Sequence, residues 1–129
     1  MPSLSKLVGM GAPPAGAGYM VGDVAPGLTA TGSTQATALA LSANFNQFTV
    51  VAASTGAVLP AVAAAPMLGV SNGDSIEVFN QGANALSVYP PAGSSINGLT
   101  VNTAISVPIN KGARFIQLSP TAWGSILSA

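Results

Sequence analysis

The sequence predicts an all-β fold: a compact antiparallel β-sandwich or barrel, jelly-roll-like, preceded by an extended N-terminal arm. Three observations predict it. Short apolar runs recur through the chain from Leu28 onward, and clusters of Gly, Pro and Asn part them. Within the runs, apolar and polar residues alternate with a period of two, the repeat of a strand that buries one face. Several strands spaced about ten residues apart and joined by turns argue for antiparallel sheets and against βαβ units. The chain divides into an arm, residues 1–27, and a β-domain, residues 28–129.

The arm contains Gly11-Ala12-Pro13-Pro14-Ala15-Gly16-Ala17-Gly18, which suits neither a regular helix nor a paired strand. Leu4, Leu7, Val8, Met10, Tyr19, Met20 and Val21 are nevertheless too apolar for a solvated linker. With Pro13 and Pro14 they are candidates for a grip that orders when it lies on a partner. The alternative is an arm folded back on its own domain.

In the β-domain, Gln35, Thr37, Leu39 and Leu41 alternate with Ala36, Ala38 and Ala40, which favours a strand over the helix that the alanines would also suit. Phe45 to Val51 has the β-branched and aromatic content of a strand. Thr55-Gly56 turns, Val58-Leu59 ends at Pro60, and Ala61 to Ala65 suits either a helical turn or a small-residue loop. Five further strands fall at Ser75 to Asn80, Ala85 to Tyr89, Ala104 to Val107, Ala113 to Leu118 and Trp123 to Leu127. Gln81 to Asn84 has the length and composition of a hairpin loop, Pro90-Pro91 closes a strand, and Asn97-Gly98 and Pro108 to Gly112 are further turn signals. Ala38 to Pro60 and Ala104 to Ser125 echo each other as two hairpins built by the same rules.

Composition narrows the function classes. Of 129 residues, 49% are hydrophobic and 5% charged, with three basic and three acidic side chains and no net charge. Size scaling gives a monomer of this mass roughly 6,200 Å² of accessible surface, so six charges amount to about one per 1,000 Å². A surface that neutral is expected to associate with copies of itself or a larger partner. No Cys is present, so there is neither a disulfide framework nor a thiolate metal site. The most apolar run, Ala57 to Val70, is broken by Pro60 and Pro66 and falls short of the roughly 20 residues of a spanning helix. No membrane segment, secretory signal or polybasic anchor is expected.

Enzyme chemistry finds little footing. Without His or Cys there is no imidazole base and no Ser-His or Cys-His relay. Asp23, Asp74 and Glu77 are the carboxylates, and no calcium loop or phosphate loop surrounds them. Asp74 reads as a turn residue and Glu77 as an edge charge. Lys111 and Arg114 are too few for a nucleic-acid stripe, and pairing with Asp74 or Glu77 is the simpler role. Glu77 and Arg114 are therefore a candidate ion pair, within one chain or between subunits. Trp123 is expected in a core or at a subunit boundary, with an indole N–H that needs a partner if buried. No catalytic, cofactor-binding or metal-ligating residue is expected.

The phrases Gly27-Leu28-Thr29-Ala30-Thr31-Gly32, Gln35-Ala36-Thr37-Ala38-Leu39, Gly82 to Pro90, Ile96-Asn97-Gly98 and Trp123 to Ala129 together resemble small virion proteins of tailed bacteriophages, the kind that decorate or cement the capsid. The resemblance implies a β-rich module, a homotrimer, on the outer capsid surface of the virion where major capsid proteins meet. It implies no active site. The alternative is a head-fibre or tail-associated adhesin that presents Asn-, Ser- and Thr-rich turns to a host-surface glycan or protein, and a hydrolase ranks third.

Overall fold

The structure, a computed structural model, describes residues 24–61 and 75–128. Those residues form ten strands and no helix: β1 (Val24–Thr29), β2 (Leu39–Ala40), β3 (Phe45–Val50), β4 (Gly56–Val58), β5 (Ser75–Asn80), β6 (Leu86–Tyr89), β7 (Ser95–Ile96), β8 (Ile105–Val107), β9 (Lys111–Ser119) and β10 (Ala122–Leu127). They make a six-stranded sheet, ordered β1-β3-β5-β9-β10-β7, and a four-stranded sheet, ordered β2-β4-β6-β8. The all-β class is as the sequence predicts.

The strand pairing is not. The expected antiparallel arrangement gives way to mixed sheets. Pairs β1–β3, β3–β5, β2–β4, β4–β6 and β7–β10 are parallel, while β5–β9, β9–β10 and β6–β8 are antiparallel. A jelly roll is built from antiparallel Greek keys, and the parallel pairs depart from it. From β1 to β6 the chain alternates between the two sheets, so each strand lies beside the one two places earlier. Among the described residues, parallel neighbours then arise without helical crossovers, because the strand in the opposite sheet provides the return path.

The turn signals accordingly do other work than closing hairpins. Gln81 to Asn84, read as a hairpin loop, carries the chain from β5 in one sheet to β6 in the other. Segment 38–60 contains no hairpin either, since β2, β3 and β4 alternate between sheets, whereas segment 104–125 contains one, β9–β10. Asn97 and Gly98 both take positive φ, 55° and 71°. That bend lets the Asn97 amide donate to Ser125 Oγ at 2.7 Å while its Oδ1 accepts from Ser125 N at 2.8 Å. The turn thereby fastens β7 to β10.

Gln35 to Ala38 is a turn, not a strand, and only Leu39–Ala40 enters a sheet. Local hydrogen bonds outcompete the ladder here. Thr34 O accepts from Thr37 N at 3.2 Å and Ala38 N at 3.0 Å, and the two threonine hydroxyls lie 2.8 Å apart. Strand β1 begins at Val24, upstream of the boundary drawn between residues 27 and 28, and pairs with β3.

Both sheets point side chains into one apolar cluster. Phe48, Val78, Phe115, Ile96 and Trp123 come from the six-stranded sheet; Ala57, Leu86, Val88 and Val107 come from the other. Alternation places them there, as in β5, where Ile76, Val78 and Asn80 are buried and Phe79 is exposed. Each large apolar side chain fully buried in this way contributes about 1.5 to 3 kcal/mol.

Candidate functional site

The inward positions of the six-stranded sheet are committed to the core, so its outward positions are what it offers to a partner. Register fixes which residues these are. One row runs straight across five residues: Val24 beside Phe45, Phe45 beside Glu77, Glu77 beside Arg114, Arg114 beside Ile126. A neighbouring row places Gln47 beside Phe79 and Phe79 beside Gly112, with Ser128 N bonding Gly112 O at 2.8 Å at its end. Val24, Phe79, Leu118 and Ile126 are exposed.

The central pair is Glu77 and Arg114. Arg114 Nε donates to Glu77 Oε1 at 2.8 Å, and Nη2 approaches the same oxygen at 2.7 Å. The arginine side chain is 54% exposed and the glutamate 18%. Because one carboxylate oxygen takes both contacts, Oε2 and Nη1 make no ion pair or hydrogen bond among the described residues. An exposed pair of this kind contributes at most about 1 kcal/mol to the fold.

Beside the pair lies an open groove of about 340 Å³, lined by Phe79, Gly112, Arg114, Ile126, Leu127 and Ser128 among others. Its floor depends on glycine: a Cβ at Gly112 would sit 3.0 Å from the Phe79 ring. The groove is thus apolar on two walls, with one charge pair at its edge.

Among the described residues no three His, Cys, Asp or Glu side chains gather where they could hold a metal ion. No helix among them is long and apolar enough to cross a membrane. The one described Asp or Glu, Glu77, is engaged by a guanidinium.

Of the residues singled out from sequence, Glu77 and Arg114 stand together. Leu4, Leu7, Val8, Met10, Pro13, Pro14, Tyr19, Met20 and Val21 lie outside the described residues, as do Asp23 and Asp74. Trp123 is buried, yet its indole Nε1 makes no hydrogen bond among the described residues; nor do the Oε1 and Nε2 of buried Gln117, its register partner. Leu118 and Ile126 are the face residues that sequence reading misses. Trp123 pairs with Gln117 while Ala122 pairs with Ser119, so Leu118 is the extra residue of a bulge. That bulge shifts the register by one, which sets Ile126 beside Arg114 and not Phe115.

No known family model matches this chain, and no curated protein or solved structure matches it either.

Proposed function

We propose that this protein is a non-enzymatic structural component that works by adhesion: a capsid decoration or cement protein of a tailed bacteriophage. In this reading it binds the major capsid protein on the outer shell of the virion and reinforces contacts between shell subunits. One observation carries it: an almost uncharged chain presents an outward sheet face of apolar side chains around a single self-neutralising ion pair. Such a face suits burial against protein and offers neither a charge field for nucleic acid nor an acid–base pair for catalysis. We read the two sheets around their shared core as the layers of a sandwich, with residues 1–23 as an extended arm before it.

Leu4, Leu7, Val8, Met10, Pro13, Pro14, Tyr19, Met20 and Val21 supply the grip on the shell. Ordering such an arm costs roughly 1 to 2 kcal/mol per residue in backbone terms, so a single arm holds weakly. An oligomer, a trimer according to the sequence resemblance, presents several arms at high effective concentration and raises avidity about 10² to 10⁴-fold. With almost no charge, the attachment resists salt.

The test mixes undecorated particles with the full chain and with a chain shortened to begin at Val24. Binding by the full chain that persists in high salt and is lost on shortening is the expected result. Equal binding by the shortened chain moves the contact to the β-domain, and no binding by either rejects the cement role. The groove beside Phe79 and the open ion pair is the one feature that favours a glycan-binding adhesin instead. Copy number per particle separates the two, since cement covers the shell and an adhesin occupies few sites.

A further inference from the structure

The outward row of the six-stranded sheet is complementary to itself. Its centre falls between β5 and β9, where Glu77 stands beside Arg114. Stepping outward from that centre by one more strand meets Phe45 on one side and Ile126 on the other. Reversing the row therefore sets each charge opposite its counter-charge and Phe45 opposite Ile126, with Val24 at the rim. The next row behaves the same way. Its centre lies between Phe79 and Gly112, so reversal sets an aromatic ring opposite a residue with no side chain.

We propose that two copies of this chain pair face to face through the outer surface of the six-stranded sheet. The two-fold axis runs in the interface, parallel to the strands and between β5 and β9. Such an axis exchanges Glu77 with Arg114, bringing the open Oε2 of each copy to the open Nη1 of the other. Two half-satisfied ion pairs become a closed ring of four charges. Phe79 of each copy enters the groove above Gly112 of its partner copy, and the groove's volume, about 340 Å³, accommodates a ring.

A second copy is the occupant that the chemistry favours. A burying partner must meet a carboxylate and a guanidinium lying side by side, because a buried charge left unpaired is strongly unfavourable. The chain carries that pair in mirror order on its own surface. The scale also fits. Strands about 4.8 Å apart and about 20 Å long make β1, β3, β5, β9 and β10 a face of roughly 500 Å² in projection. Its corrugated accessible area is larger, of the order of the roughly 800 Å² that each partner contributes to a stable interface.

The pairing uses the same face that supports the virion reading, and leaves the grip on the shell to residues 1–23. Shell binding can fail while copies pair, and copies can fail to pair while the shell is bound. Joined to the three-fold ring that the sequence resemblance implies, the same contact would set two rings back to back, so the number of copies is even in either case.

The experiment is sedimentation of the full chain with three variants. The parent is expected at an even number of copies. Glu77→Arg and Arg114→Glu each place like charges across the axis, which should weaken pairing on the order of 100-fold and halve the sedimenting mass. Mixed one to one, the two variants should regain the parental mass, because positive 77 and 114 of one copy now face negative 77 and 114 of the other. A role confined to the intrachain pair predicts no such rescue, since each variant keeps its internal repulsion. Ile126→Lys, exposed in the free chain at 61%, should also halve the mass, and it decides the matter if circular dichroism shows either charge variant unfolded. A parent of odd copy number, an unchanged mass for Ile126→Lys, or folded charge variants that stay apart when mixed would overturn the proposal.

Discussion

The segment from β1 to β6 and the hairpin β9–β10 hold themselves together by different means. In the first, successive strands lie in opposite sheets, so the connections between them have no ladder to saturate their backbone groups. Side-chain amides share that work with backbone bonds such as Gln81 N to Phe48 O at 2.8 Å. Asn80 is fully buried, its Nδ2 donating to Asn84 O at 2.8 Å and Val107 O at 2.9 Å while its Oδ1 accepts from Gly82 N at 3.0 Å. Asn84 in turn donates to Val51 O at 2.8 Å, and Asn46 to Ala43 O at 2.9 Å. In the hairpin, Pro120-Thr121 joins two strands that satisfy each other along their length. The amide buried there, Gln117, bonds nothing among the described residues. The same chemical group is thus an anchor at a crossing between sheets and a surplus within a ladder.

Substitutions can break or sharpen that contrast. The largest effect is expected from Asn80→Leu, which takes from Asn84 O, Val107 O and Gly82 N the amide each of them bonds. At about 1 to 3 kcal/mol for each buried group orphaned, partly relaxed, the loss should reach about 3 to 5 kcal/mol by urea unfolding. A loss below about 1 kcal/mol would mean the crossing does not depend on the amide. Next is Gly82→Ala in the same connection. A Cβ there would lie 2.6 Å from Val51 Cγ2 and 2.7 Å from Val51 N, so backbone must move. About 1 to 3 kcal/mol of destabilisation is expected, and a neutral result would show that the corner is looser than its geometry.

The hairpin should respond in the opposite sense. Gln117→Met keeps the shape and removes two buried polar atoms that lack partners, so stability should rise by about 1 to 2 kcal/mol. A fall in the denaturation midpoint would instead show that the amide is bonded in solution. The smallest effect belongs to Glu77 and Arg114, which join the two regions across β5 and β9. A double-mutant cycle with Glu77→Gln and Arg114→Gln, at protein concentrations low enough to keep copies apart, should give a coupling of no more than about 1 kcal/mol. A much larger value would mean the pair is desolvated within one chain.

Particular residues show how far the sequence carried the reading. Alternation in Ser75 to Asn80 put Ile76 and Val78 on one side and Glu77 with Phe79 on the other, since a period of two is a property of the extended backbone and needs no knowledge of neighbours; the structure buries the first side. The spacing of Gly, Pro and Asn placed the ends of β5, β6, β8, β9 and β10 within a few residues and missed β7. Glu77 and Arg114 could be matched because there were so few charges to choose from. Elsewhere, local pattern was outweighed: the alternation of Gln35 to Leu41 yielded to threonine side chains that bond their own turn.

By itself, then, the sequence determined the all-β class, the two-sided alternation of its central strands, and a composition with only six charged side chains. Tertiary structure alone decided which strands pair and in which direction. A loop such as Gln81 to Asn84 has the same composition whether it folds a strand back on its neighbour or carries the chain to the opposite sheet. The choice depends on whether Asn80 finds Val107 O, a carbonyl 27 residues away. It also decided that Ile126 stands beside Arg114 and not Phe115, because a single bulge residue shifts the register of everything beyond it.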